Sequence, residues 1–294
     1  MNTEPGIFSA AAPFAGAVLN NRDFQKLSSL IHDECGIKMP EAKKIMLESR
    51  LKKRLRALEM ASFRDYCEYL VSPEGMEHEL PEMIDTVTTN KTDFFREPRH
   101  FEFLGNIVLP DLIASSGAGA RRGLRIWSAG CSTGEEPYTI AMALADARLQ
   151  KYPGLDFNIE ATDICARVLA SAQKGIYKEE RAAPVPPHFK KNYLLRSKDR
   201  SRGLVRVAPE IRAMVSFRKL NLMDGDFGFK SPVDIIFCRN VIIYFDKPTQ
   251  EGLLGRLCKN LLPGGYLFMG HSETLNGLHA PLVSVGPMVY KKPL

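Results

Sequence analysis

The sequence predicts an α/β protein: a Rossmann-like, doubly wound sheet with a small β-subdomain insertion, preceded by an all-α N-terminal domain. Three observations predict it. Residues 21–90 carry apolar residues at helical spacing and no run that reads as a strand. From residue 124 onward, short apolar runs alternate with helical stretches, the pattern of a parallel sheet with helices on both faces. Residues 124–138, LRIWSAGCSTGEEPY, read as a buried strand, a tight glycine turn and the start of a helix.

Taken in order, residues 1–20 are expected to form a flexible tail. Their apolar patch has no preceding Lys or Arg, which makes a poor secretory signal. The helical domain, 21–90, divides into helices at 23–35 (stopped by Gly36), 41–59, 62–70 (with Ser62 as N-cap) and 75–88. On the second helix Leu47, Leu51, Leu55 and Leu58 share a face and are expected in the core. Arg50, Lys53 and Arg54 lie together on another face, extended by Lys52 and Arg56. Residues 91–123 are a linker and connecting helix. The sheet domain, 124–294, has strands at 124–127, 157–161, 215–219, 233–238 and 266–269, and helices at 133–149, 164–174 and 248–262. Residues 176–213 break the alternation with Pro184-Val185-Pro186-Pro187 and a basic stretch ending in Gly203–Val207, a small β-rich insertion. Residues 282–291, split by Gly286-Pro287, read as a hairpin at the sheet edge.

The 294 residues allow one large domain or two modest ones, and 45% hydrophobic with 25% charged residues is ordinary for a soluble globular protein. No apolar run is long enough to span a bilayer. Six scattered cysteines form no C-x-x-C pair, so neither a zinc nor a redox motif is indicated, and reduced, buried thiols in the cytoplasm are expected. Cys131 has no sequence-adjacent His to activate it as a nucleophile. The net charge is +6, and residues 21–60 alone hold ten Lys/Arg against six Asp/Glu, which points to an acidic partner.

The glycine turn carries the chemistry. A phosphate cradle would want Lys or bare N–H groups; Glu135 and Glu136 stand there instead. An acid at this point suits a ligand with an amine and an adenosine, such as S-adenosylmethionine (SAM), and hence a methyltransferase. Asp163 ends the second strand, where a carboxylate accepts from ribose hydroxyls; it could equally cap the following helix. Asn240 and Tyr244 run off the end of a later strand toward the same crevice. Asn90, Thr92 and Arg96 surround Phe94 and Phe95, an aromatic pair expected to anchor the two domains together. No Asn/Asp-Pro-Pro-aromatic signature of amino-directed methyltransferases is present.

Read together, TTNxTxFFRE at 88–97, STGEEPY at 132–138, ATDI at 161–164, FCRNVxIYF at 237–245 and GHSE at 270–273 resemble the CheR family, the bacterial chemoreceptor glutamate methyltransferases, over about residues 21–290. The resemblance implies a class I SAM-dependent fold that esterifies receptor glutamates and releases S-adenosylhomocysteine. It matches Asn90, Thr92, Arg96, Glu135, Asp163, Asn221, Leu222, Arg239 and Asn240 to cofactor-contacting positions, and Arg96 and Tyr244 to the methyl-transfer site. It implies that the basic helix, through Arg50, Lys53, Arg54 and Arg56, docks the cytoplasmic helical bundle of a chemoreceptor, and that the insertion can grip a receptor C-terminal tail by strand addition. No metal, nucleic-acid partner or membrane insertion is expected. GHSE is no nucleophile elbow, since Thr274 replaces the second glycine. The rival functions are an RNA methyltransferase, which would use the basic helix on phosphates, and a non-catalytic SAM-binding adaptor.

Overall fold

A computed structural model describes residues 16–294. The chain divides into two compact units, the first ending at Thr88 and the second spanning Thr89–Leu294. Most of the tail expected at 1–20 lies outside the described residues.

Its last residues are not loose, contrary to expectation. Leu19 is wholly buried, and its N–H donates to Glu48 at 3.0 Å. Asn20 caps helix α1 (Asn21–Cys35) by accepting from the Asp23 N–H. An apolar side chain just ahead of a capped helix is held by the core that the helix itself builds. Gly36, at φ 71°, ends α1 in the left-handed conformation. A 3₁₀ turn at Glu41–Lys43 leads into α2 (Lys44–Ala57), followed by α3 (Phe63–Leu70), capped by Ser62, and α4 (Leu80–Val87), entered through a π turn at Gly75–Glu79. Leu47, Leu51 and Leu55 are buried as expected. Leu58 is only half-buried, because α2 ends one residue earlier and the helical spacing no longer aims it inward.

In the second unit α5 (Arg99–Phe103), a π turn and α6 (Leu109–Ser116) run on to β1 (Leu124–Ala129), α7 (Glu135–Gln150), β2 (Phe157–Asp163) and α8 (Ala166–Lys174). The insertion holds β3 (Ile176–Lys178), α9 (Pro187–Tyr193), β4 (Leu194–Arg196), β5 (Leu204–Val207) and α10 (Pro209–Arg212). Then follow β6 (Val215–Lys219), β7 (Val233–Cys238), α11 (Lys247–Lys259), β8 (Leu261–Met269), β9 (Val283–Gly286) and β10 (Val289–Lys291).

The main sheet has seven strands in the order β6-β2-β1-β7-β8-β10-β9, parallel except where β10 meets β8 and β9. The β9–β10 hairpin forms the expected edge. The order reverses between β1 and β7, so a crevice opens there beyond the carboxyl ends of the strands. The insertion is a separate antiparallel sheet, β3-β5-β4.

All six residues of β7 are buried, and Phe237 stacks on Phe268 of β8 with centroids 4.3 Å apart. Trp127 of β1 is fully buried, and its indole N–H donates to Thr162 Oγ1 at 2.9 Å. The helix expected at 248–262 stops at Lys259, and β8 starts already at Leu261. The strand runs through Pro263-Gly264-Gly265, where the backbone approaches β7 so closely that a Cβ on Gly265 would lie 2.8 Å from the Asp234 carbonyl oxygen. Among the described residues no helix is long and apolar enough to cross a membrane.

Candidate active site

Gly130, at φ 79°, turns the chain out of β1, and its N–H and that of Cys131 donate to the Thr162 carbonyl at 2.8 and 2.9 Å. A Cβ on Gly130 would lie 2.6 Å from Val241 Cγ2, so the turn touches the loop after β7. Gly134, at φ 95°, delays α7 until Glu135, two residues later than the spacing suggests. The thiol of Cys131 is buried and its pKa is pushed far up by burial and by the Asp163 carboxylate, which disqualifies it as a nucleophile. All six cysteines are buried thiols, none joined in a disulfide.

Asp163 stands two residues ahead of Cys165, the N-cap of α8. One carboxylate oxygen accepts the N–H of Ser132 at 2.8 Å and the other the N–H of Cys165 at 2.9 Å. It thus ties the turn after β1 to the loop after β2. Asn90 joins this cluster through its carbonyl, which accepts from Ser132 Oγ at 2.9 Å, and through its amide, 3.8 Å from Cys165 Sγ.

The two acids of α7 part ways. Glu135, 0% exposed, accepts from Thr133 Oγ1 at 2.6 Å and from the guanidinium of Arg181, which reaches in from the insertion and also donates to the Thr92 carbonyl. Burial raises its pKa, and Thr133 and Arg181 only partly offset this. Glu136 accepts from Ser128 Oγ at 2.8 Å and Arg239 at 3.0 Å; burial raises its pKa too.

Arg239 is the hub behind the crevice. Its guanidinium donates to Glu136, to Glu97 at 2.8 Å and to the Arg96 carbonyl at 2.5 Å, and lies over the Phe101 ring. With 2% of its side chain exposed, its charge is taken up by these partners. Although burial pulls the other way, Arg239 and the His271 N–H hold the Glu97 carboxyl below the usual range. Burial, then the Arg239 charge, depress the His100 pKa to about 4. Glu97, His100 and His271 bring a carboxylate oxygen and two ring nitrogens within 4.8 Å of one another. Arg239 pairs with the same Glu97 carboxylate at 2.8 Å.

Arg96 donates to the Lys91 carbonyl at 3.1 Å, closing the loop that carries Thr92, and the residues on either side, Phe95 and Glu97, stand at φ 53° and 59°. The aromatic pair finds partners within the second unit: Phe94 meets Tyr177 edge-on, and Phe95 packs on Phe101 and Phe189. Beyond β6, Asn221 Oδ1 accepts the Met223 N–H, and the Leu222 carbonyl accepts from Arg256 at 2.9 Å. Beyond β7, Asn240 stands at φ 58° and a short 3₁₀ turn, Ile242–Tyr244, carries Tyr244.

Of the proposed docking cations, Arg50 and Arg54 are engaged inside the helical unit. Arg50 donates to the carbonyls of Val87 and Thr88. Arg54 makes a two-pronged pair with Glu79, itself 2% exposed, and a weaker one with Glu82. Both arginines therefore brace α2 against the chain around α4. Lys53 and Arg56 stand exposed.

Sequence reasoning missed Glu97, Arg181 and Glu273, whose partners are remote in the chain. The only signals for the two acids were their places at the ends of the FFRE and GHSE motifs.

A glycine turn after the first strand, an acid ending the second and a crevice at the strand-order reversal define an α/β nucleotide-binding class. Two family models match: the CheR methyltransferase all-alpha domain over residues 22–88, and the CheR methyltransferase SAM binding domain over residues 90–287. The chain is 40% identical over 270 residues to the chemotaxis protein methyltransferase of Borreliella burgdorferi, covering 92% of this chain and 94% of that one. It is 42% identical over 270 residues to chemotaxis protein methyltransferase 2 of Pseudomonas aeruginosa (91% and 92% covered), and 40% identical over 275 residues to the Escherichia coli chemotaxis protein methyltransferase (92% and 91%). The chain belongs to the CheR methyltransferase family.

Proposed function

We propose that the protein is a SAM-dependent methyltransferase of chemoreceptors that esterifies glutamate side chains, releasing S-adenosylhomocysteine. The observation that carries this reading is the unbroken match of both CheR domains along the chain, with the acids of its motifs gathered at one sheet crevice. RNA methylation and a binding-only role are not favoured by it.

The donor set fits SAM. Glu135 offers a buried carboxylate to the amine, Asp163 a carboxylate at the end of the second strand to the ribose hydroxyls, and the segments at Asn90–Arg96, Asn221–Leu222 and Arg239–Asn240 border the rest. SAM supplies an electrophilic methyl on a sulfonium. A substrate glutamate, pKa ~4.3, is already ionised at neutral pH and needs no base. The task left to the protein is to align the carboxylate with the methyl and to exclude water. Arg96 and Tyr244 orient the carboxylate. Arg96 acts by positioning, since too strong an ion pair would stabilise the ground state equally.

Residues 22–88 serve as the receptor-docking domain, with Lys53 and Arg56 as its outward cations. The insertion offers a groove of about 450 Å³ lined by Glu179, Pro187, Lys190, Lys191, Leu194 and Arg196, suited to a receptor tail. Such a substrate assigns the protein to the cytoplasm. The test is methyl transfer from labelled SAM into chemoreceptor-containing membranes, followed by mild base. Base-labile, methanol-releasing label on receptor protein is expected; base-stable label, or label on added RNA alone, overturns the reading.

A further inference from the structure

We infer that Glu273 is a positioning residue for methyl transfer: its carboxylate gathers four backbone N–H groups from two loops and so fixes Asn240 and Tyr244 at the donor crevice. The inference rests on reading Asn240 and Tyr244 as site residues.

Glu273 is 2% exposed. One of its oxygens accepts the N–H groups of Val241 at 2.7 Å and Ile242 at 2.9 Å. The other accepts those of Asn240 at 2.8 Å and Gly270 at 2.6 Å. Four converging donors match the full lone-pair capacity of one carboxylate. They hold Asn240 at φ 58°, in the left-handed region that asparagine tolerates better than most residues with a Cβ. The next residues form the turn that carries Tyr244, which Gln250 braces from behind by donating to the Ile242 and Phe245 carbonyls at 2.9 and 3.1 Å.

The other loop is shaped to match. A Cβ on Gly270 would fall 2.3 Å from Asn240 Nδ2 and 2.8 Å from its backbone N. Loop 270–273 and loop 240–242 therefore approach as closely as glycine permits, with the carboxylate between them. The neighbouring His271 N–H donates to Glu97 at 3.1 Å, so the same loop also reaches the segment that carries Arg96.

Glutamine at this position has the same shape but turns one acceptor oxygen into a donor, which sets N–H against N–H in two of the four contacts. Glu273→Gln and Gly270→Ala are compared with wild type in three measurements: thermal melting, the SAM Kd by calorimetry, and kcat and KM on receptor membranes well below the melting midpoint. Displacing the reacting groups is expected to lower kcat on the order of tenfold or more in both variants, raise the SAM Kd about fivefold, and leave the receptor KM within about twofold. Glu273→Asp, which keeps the charge on a shorter stem, recovers part of the loss. A carboxylate that only stabilised the fold would lower the melting midpoint and leave kcat intact; that result overturns the inference. Should Glu273→Gln fail to melt cooperatively, Gly270→Ala decides by the same kcat criterion. A wild type that binds SAM but leaves receptors unlabelled would fail the glutamate reading, and the SAM Kd of the variants would then decide the role of Glu273.

Discussion

The guanidinium of Arg181, carried by the inserted subdomain and 42% exposed, lies on the wholly buried carboxylate of Glu135 at the first turn of α7. In the function proposed above, the amine of SAM meets that same carboxylate. On that reading, donor occupancy and the placement of the insertion are linked through one ion pair. By reciprocity, whatever moves Arg181 changes donor affinity, and the donor changes affinity for that agent by the same factor.

Removing the charge separates binding from stability. Burial raises the Glu135 pKa, so the folded state keeps that proton to higher pH than the unfolded chain does. Its contribution to stability is greatest below the ordinary carboxylate pKa and is lost as pH rises through the window up to the raised value. Glu135→Gln should therefore melt no lower than wild type at pH ~7, and the gap between the two should shift in wild type's favour by pH ~4. Its SAM affinity should fall about tenfold or more, the usual cost of losing a charge-assisted contact. Melting curves at the two pH values and a calorimetric titration check both halves.

Arg96→Ala and Tyr244→Phe should each lower kcat/KM by about 10- to 100-fold on receptor substrate, since they remove orientation rather than chemistry. Unchanged turnover in Arg96→Ala with normal SAM affinity would sink the positioning role.

The helical unit separates docking from folding. Arg54→Ala leaves the buried Glu79 carboxylate without its guanidinium and should cost about 3 kcal/mol or more of stability. Lys53→Glu with Arg56→Glu should leave melting within about 0.5 kcal/mol of wild type, because both side chains are exposed. The double variant should slow receptor methylation and flatten its dependence on salt. Denaturation and salt-series kinetics distinguish the two pairs.

Gly130→Ala should be destabilising by about 1–3 kcal/mol, because the residue stands at φ 79° and the added methyl would press on Val241. Denaturant unfolding gives the cost. A value near zero would mean that the loop after β7 yields.

The strands were legible where burial on both faces demands continuous apolar runs, as in β7, and the helices where caps such as Ser62 and Gly36 punctuate them. The start of β8 was hidden, because Pro263-Gly264-Gly265 reads as a turn and becomes strand only through close contact with β7. The glycine turn and Asp163 could be found by local pattern. Arg181, Glu97 and Glu273 could not: they act on partners 46, 142 and 33 residues away, and pairing across such distances leaves no local periodicity. The same blindness made Arg50 and Arg54 look like surface cations, since nothing in α2 itself says that the chain around α4 supplies their partners.

Trp127 is the only tryptophan in the chain. Its indole is sealed against Phe227 and Phe229 and hydrogen-bonded to the residue that precedes Asp163. Every photon of indole emission therefore originates in β1, three residues before Gly130. On the proposed reading, rapid-mixing fluorescence on the unlabelled protein should follow donor arrival and product departure in real time, with no second tryptophan to blur the signal.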